Sequence, residues 1–187
     1  MFINNKNKLK KISTLGLMGI MASTQLLTMP YFYIDTYANI KSNFDLRKKV
    51  ISVTGIMSLN QDMNKNISRA EFALMAVRAS KYKNMLTKNS NIALYSDVDR
   101  NSEYASAIKI ASEKGWMSGY LGGKFMPDKD ISLQEAIKVL LYMLGYKAED
   151  FAGDQLNKRV TLYNNLGLGE FVLKGSNDSI SRADAVN

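Results

Sequence analysis

Three stretches, ISRAEF at Ile67–Phe72, ISLQEA at Ile131–Ala136 and ISRADA at Ile180–Ala185, share one pattern. Each sets an isoleucine and a serine ahead of an acid, with the serines of successive copies 64 and 49 residues apart. Ser68, Ser132 and Ser181 stand three residues before Glu71, Glu135 and Asp184. That is the spacing of a capping box, in which the hydroxyl and the carboxylate each satisfy a backbone N–H left free at a helix start. Ile67, Ile131 and Ile180 then occupy the position where an apolar residue staples onto the fourth helical residue, here Phe72, Ala136 or Ala185, most strongly in the first copy.

Helical periodicity follows the box. Phe72, Met75, Ala76 and Ala79 fall at i, i+3, i+4 and i+7, and Ala136, Val139, Leu140 and Met143 take the equivalent places. A second repeated element precedes each box. Gly55-Ile-Met-Ser aligns with Gly115-Trp-Met-Ser, and Gly167 is a looser third match. Amphipathic stretches lead into these glycines: Leu46 and Val50; Tyr104, Ala107, Ile108 and Ala111; Leu156, Val160 and Tyr163. The glycines suit the left-handed residue that ends a helix. Each unit therefore reads as a helix pair, with the polar run Tyr82–Glu103 as linker and leading loop of the second. One pair cannot bury its own apolar face, so the units are expected to pack on one another as an all-α body of tandem helix-loop-helix repeats with approximate threefold symmetry.

Composition narrows the function. The 187 residues carry a net charge of +8, but Lys6, Lys8, Lys10 and Lys11 precede an apolar run ending near the small residues Thr36 and Ala38, the layout of a secretory signal peptide over residues 1–38. Its removal takes the 25 basic and 17 acidic residues to 21 and 16, a net charge of +5. Membrane contact would then be transient. The chain has no cysteine and no histidine, so packing must stabilise it, and thiol or imidazole nucleophiles and the usual zinc ligand sets are excluded. The recurring acids are used as caps, which argues against a carboxylate-pair enzyme, and no cofactor motif is present. Asp97-Val-Asp-Arg-Asn opens like a calcium loop, but Ser102 and Ile108 stand where that loop needs Gly and Glu, so no metal is expected and Asp97 reads as capping its turn. Scattered lysines and export argue against nucleic acid.

Capping does not explain Arg69 and Arg182. A cation at the first helical position opposes the helix dipole. In one account, free amides, dipole and guanidinium converge to bind an anion, a carboxylate or phosphate. In the other, each arginine is a surface cation paired with an acid of a neighbouring unit. Leu133 stands in the middle copy, so the helix start is expected three times and anion binding twice.

The second unit, YSDVDRNSEYASAIKIASEKGWMSGYLGGKFMPDKDISLQEAIKVLLYMLGY, resembles an S-layer homology repeat: Ser-Asp-Val, a helix, Gly-x-x-x-Gly-Tyr, a glycine turn, Phe-x-Pro, then a box of the Ile-Thr-Arg-Ala-Glu type. The first unit resembles the family through GIMSLNQ and ISRAEF, the third more weakly. The resemblance implies three repeats, 39–84, 85–148 and a truncated 149–187, in a pseudo-threefold bundle. It implies a noncatalytic module of a Gram-positive type of cell wall or S-layer, holding an exported protein to the secondary cell-wall polysaccharide attached to peptidoglycan, commonly a pyruvylated one, among S-layer neighbours. By position, Arg69 and Arg182 match the arginine that meets the ketal carboxylate, followed by Glu71 and Asp184. Asp97 matches the leading acid, and Trp116, Gly119 and Tyr120 match the loop bordering a groove. Leu133 and Gln134 depart from Arg-Ala, which puts the groove on that box in doubt. Trp116 also reads as core, because its equivalents Ile56 and Leu168 are apolar. An envelope scaffold that kept the fold and lost the sugar site is the competing reading.

Overall fold

The computed structural model describes residues 43–187, so the expected signal peptide, 1–38, lies outside the described residues. Six α-helices follow in order: α1 (43–53), α2 (Arg69–Arg78), α3 (Ala105–Glu113), α4 (Leu133–Met143), α5 (Gln155–Asn165) and α6 (Arg182–Val186). Short 3-10 turns occupy Lys83–Met85 and Ala148–Phe151. Extended backbone among these residues is confined to isolated bridges, so the described residues are all-α.

The boxes start α2, α4 and α6. Ser68 and Ser181 accept from the amides of Glu71 and Asp184 at 3.2 and 3.1 Å, and the acids accept in return from the serine amides. In the middle copy both the amide and the hydroxyl of Ser132 donate to Glu135, at 3.0 and 3.1 Å. At the other ends of α1, α3 and α5, Gly55, Gly115 and Gly167 take φ of +74°, +71° and +76°, the left-handed stop that their positions suggested.

Among α2 to α6, the helix contacts run between the units drawn from sequence, as units that pack on one another require. The extensive contacts join α2 to α3 and α4 to α5, with a smaller one between α2 and α4. The first two box helices, α2 and α4, thus lie on the first helix of the following unit, across the boundary drawn from sequence. The reason is the long loop after each glycine, which carries the chain away before the next box starts. Arg47 on α1 continues the pattern, donating to Asn187 just past α6 at 2.8 Å and lying 4.7 Å from the Phe171 ring centroid.

The three box isoleucines are linked in a cycle. Ile67 N donates to Ile180 O at 3.0 Å, Ile131 N to Ile67 O at 3.0 Å and Ile180 N to Ile131 O at 3.2 Å. All three side chains are buried, in the same core as Phe125, Ile108, Ile137 and Leu141. The residues flanking the isoleucines form only isolated bridges, Asn66 with Ser181, Ser68 with Asp130 and Ser132 with Ser179. Burial of the side chains excludes water from the three bonds and ties the amides to one another.

A cavity at this junction is expected to be costly. Ile131→Ala should lower the unfolding free energy by about 2–5 kcal/mol, while Leu121→Ala, at a fully exposed site, should change it by less than about 0.5 kcal/mol; urea denaturation of the two variants checks this.

Candidate functional site

Each box helix begins with amides that have no partner within the helix. Here a neighbouring loop supplies the partners. The amides of Arg69 and Ala70 donate to Lys129 O and Pro127 O at 2.9 and 3.0 Å. Those of Leu133 and Gln134 reach Asp178 O and Ser176 O at 2.9 and 2.9 Å, and those of Arg182 and Ala183 reach Lys65 O and Met63 O at 3.0 and 2.8 Å. The free N–H groups that the anion account placed at Arg69 and Arg182 are therefore engaged by the protein itself.

The arginine side chains turn away from their own helices to a neighbouring box. Arg69 is 2% exposed. Its Nη1 meets Glu135 Oε1 at 2.5 Å, Nε donates to Phe125 O at 3.0 Å and Nη2 to Ser118 O at 2.8 Å. The guanidinium also lies 4.7 and 4.6 Å from the ring centroids of Tyr120 and Phe125. Planarity suits this site, since one fork reaches a carboxylate and two carbonyls while its faces meet aromatic rings. Arg182 is likewise buried, pairing with Glu71 and donating to Asp62 O at 3.4 Å. The second account had the right partners, neighbouring box acids, but neither arginine is a surface residue. Leu133 leaves the corresponding position toward Asp184 apolar, and Asp184 instead accepts from the amide and hydroxyl of Ser181, both at 2.8 Å.

Four of the residues expected at a sugar site come together. Arg69, Trp116, Gly119 and Tyr120 line a cavity of about 200 Å³, with Ser118, Glu135 and Lys138. Gly119 is required sterically, because a Cβ there would sit 2.3 Å from the Tyr95 ring and 2.8 Å from Lys124 O. Trp116 is buried, its ring centroid 5.8 Å from that of Tyr82, so it forms a wall rather than an exposed platform. Glu71 and Arg182 line a second cavity, of about 250 Å³, with Ser58, Arg78, Glu103 and Tyr104. The two differ in charge. Lining the first are two cations and one acid, and lining the second are two of each.

Asp97 lies outside both linings. Its two oxygens accept from the amides of Phe125 and Met126, both at 2.8 Å, and fix the turn that Arg69 also grips. Partial burial raises its pKa, but these backbone bonds outweigh that and hold it below the ordinary carboxylate value. Asp184 is likewise a cap, away from both cavities.

Lys138 was not singled out from the sequence. It stands three residues after Glu135, a spacing that puts both on one face of α4, and that was its available signal. Its Nζ lies 3.4 Å from Ser118 Oγ, and among the described residues it makes no salt bridge. Burial, then the charges of Arg159 and Arg69, push its pKa below the ordinary lysine value, with Glu135 opposing them. For Glu135, burial acts to raise the pKa, but the Ser132 amide, the Tyr120 hydroxyl and the Arg69 charge overcome it and lower it. A depressed carboxylate pKa contributes stability above the unfolded-state value, near 4.5, and loses it as pH falls through the folded value. The melting-temperature gap between wild type and Glu135→Gln is therefore expected to be widest near neutrality and to close below pH 4.5; a gap that persists unchanged to about pH 3 would contradict this assignment.

Comparison with known proteins bears on the second unit. Residues 94–137, from the Asp97 turn through the start of α4, match the S-layer homology domain family. The chain is 30% identical over 97 residues to a Middle cell wall protein of Brevibacillus brevis, covering 51% of this chain and 9% of that protein. It is 29% identical over 84 residues to a Surface layer protein of Brevibacillus choshinensis, covering 45% of this chain and 8% of that one. The chain thus spans less than a tenth of the length of these relatives. Residues 94–137 of this chain carry an S-layer homology domain, the family that its second unit resembles.

Proposed function

We propose that this chain is a noncatalytic wall-anchoring module, exported by its residues 1–38, that holds a protein at the cell surface by binding an anionic secondary cell-wall polysaccharide. Its three repeats would form a pseudo-threefold bundle. Support for that arrangement comes from the isoleucine cycle and from the three pairs of helix-start amides, each pair donating to the loop of another box. The binding site would be the cavity between the first and second boxes.

One observation carries the reading. Lys138 is a half-buried cation without a carboxylate partner among the described residues, in a cavity bordered by Trp116, Gly119 and Tyr120 and floored by the Arg69–Glu135 pair. A carboxylate such as a pyruvyl ketal would relieve the unfavourable burial of the ammonium, a charge-assisted contact shielded from water. In this reading Lys138 takes the role that resemblance gave to Arg69, and Arg69 positions Glu135, Ser118 and Tyr120 around the ligand. The cavity at Arg182 is a weaker site because its charges balance. The position at Leu133 has no arginine, and it would not bind.

The scaffold reading has its own support: both box arginines already hold protein carboxylates. Cosedimentation with purified sacculi separates the two. The chain should pellet with intact sacculi and stay in solution once the attached polysaccharide is stripped. Lys138→Met should weaken pelleting by about tenfold or more. It should also keep or raise the melting temperature, because a half-buried charge without a carboxylate partner among the described residues is removed. Pelleting indifferent to the polymer and to Lys138 would instead favour the scaffold.

A further inference from the structure

Beside the Lys138 cavity is a cleft of about 860 Å³ to which neither the sequence reading nor the proposed function assigns a role. The two share Trp116 as a wall. They are also joined along α4, where Lys138 lines the small cavity and Tyr142, one turn on, lines the cleft, with Lys138 Nζ 5.5 Å from the Tyr142 ring centroid.

The cleft combines aromatic rings with cations. Tyr82, Tyr142 and Tyr146 are half-buried, while Lys81, Lys114 and Lys147 are exposed, and no carboxylate is among the lining residues. Lys114 Nζ lies 4.3 Å and Lys81 Nζ 5.4 Å from the Tyr82 ring centroid, so both ammonium groups are gathered at one tyrosine. Packing alone does not account for three lysines around an open cleft lined by no acid, since like charges repel and the nearby Asp150 accepts from the Lys147 amide outside the lining. An anionic chain would. Its charged groups would pair with the lysines and its sugar faces would lie against the tyrosines, whose rings are apolar with a polar tip.

We propose that the cleft is a second subsite for the same anionic polysaccharide, taking the sugar units beyond the one held at Lys138. The inference rests on the proposed function, because it needs the polymer to enter at Lys138. It adds that recognition covers several repeating units and that Lys114 and Lys147 contribute only when the polymer is long enough to reach them.

Isothermal titration with wall polysaccharide released from sacculi and sized into single repeating units and fragments of several units tests this. The double variant Lys114→Glu with Lys147→Glu alters exposed side chains only, and circular dichroism would check that its fold is kept. It is expected to bind the long fragments about tenfold more weakly and the single unit as wild type does. Equal affinity of wild type and variant for the long fragments overturns the subsite and leaves the Lys138 reading intact. Wild type that binds neither fragment overturns both. A variant that binds long fragments normally but loses self-association in sedimentation also overturns it, since the cleft would then hold a second copy of the chain.

Discussion

Among the described residues, the long-range arrangement centres on the way the box segments are tied together. Ile67, Ile131 and Ile180 pass one hydrogen bond each around a closed cycle. The residues just after them complete the joint, because the first two amides of each box helix donate to the loop that leads into another box. Helix starts are usually costly to bury, since their amides have no partner in the helix. In this protein that deficit is what joins the units, and the positions of α2, α4 and α6 follow from it.

Side chains add a second, incomplete set of links. Arg69 reaches Glu135 and Arg182 reaches Glu71, whereas Leu133 offers nothing to Asp184. A buried ion pair replaced by apolar groups often loses little stability, while a pair broken at one partner loses much. At the third link, leucine takes the arginine's place and the acid is kept satisfied by the amide and hydroxyl of its own Ser181. The backbone joint is intact there, so the link holds without a cation. A cation is therefore not needed at every link, and at Arg69 the ion pair that joins two boxes also borders a cavity.

Much of this was legible from residues. Serine and acid three apart gave all three box helices, and Gly55, Gly115 and Gly167 gave the ends of three others, because capping and left-handed turns are local chemistry. Which helices pair was not legible. The box helices α2 and α4 lie on the first helix of the next unit, and that is set by where long loops deliver the chain, which periodicity does not encode. The lining of the candidate site was legible in part. Trp116, Gly119, Tyr120 and Arg69 do line one cavity. Asp97 and Asp184 do not, because their carboxylates satisfy nearby backbone amides. The guanidinium of Arg69 is taken up by the protein, and Lys138 was overlooked because a lysine on a helix face is ordinarily solvated.

The central claim is that the box arginine is a buried joint between units. A double-mutant cycle on Arg69→Met and Glu135→Gln, read by urea unfolding, tests it most directly. Each single change should be strongly destabilising, and the double variant should recover part of the loss, giving a coupling above about 1 kcal/mol. Additive effects, with no coupling, would contradict the joint and return Arg69 to the role of a free cation awaiting a ligand.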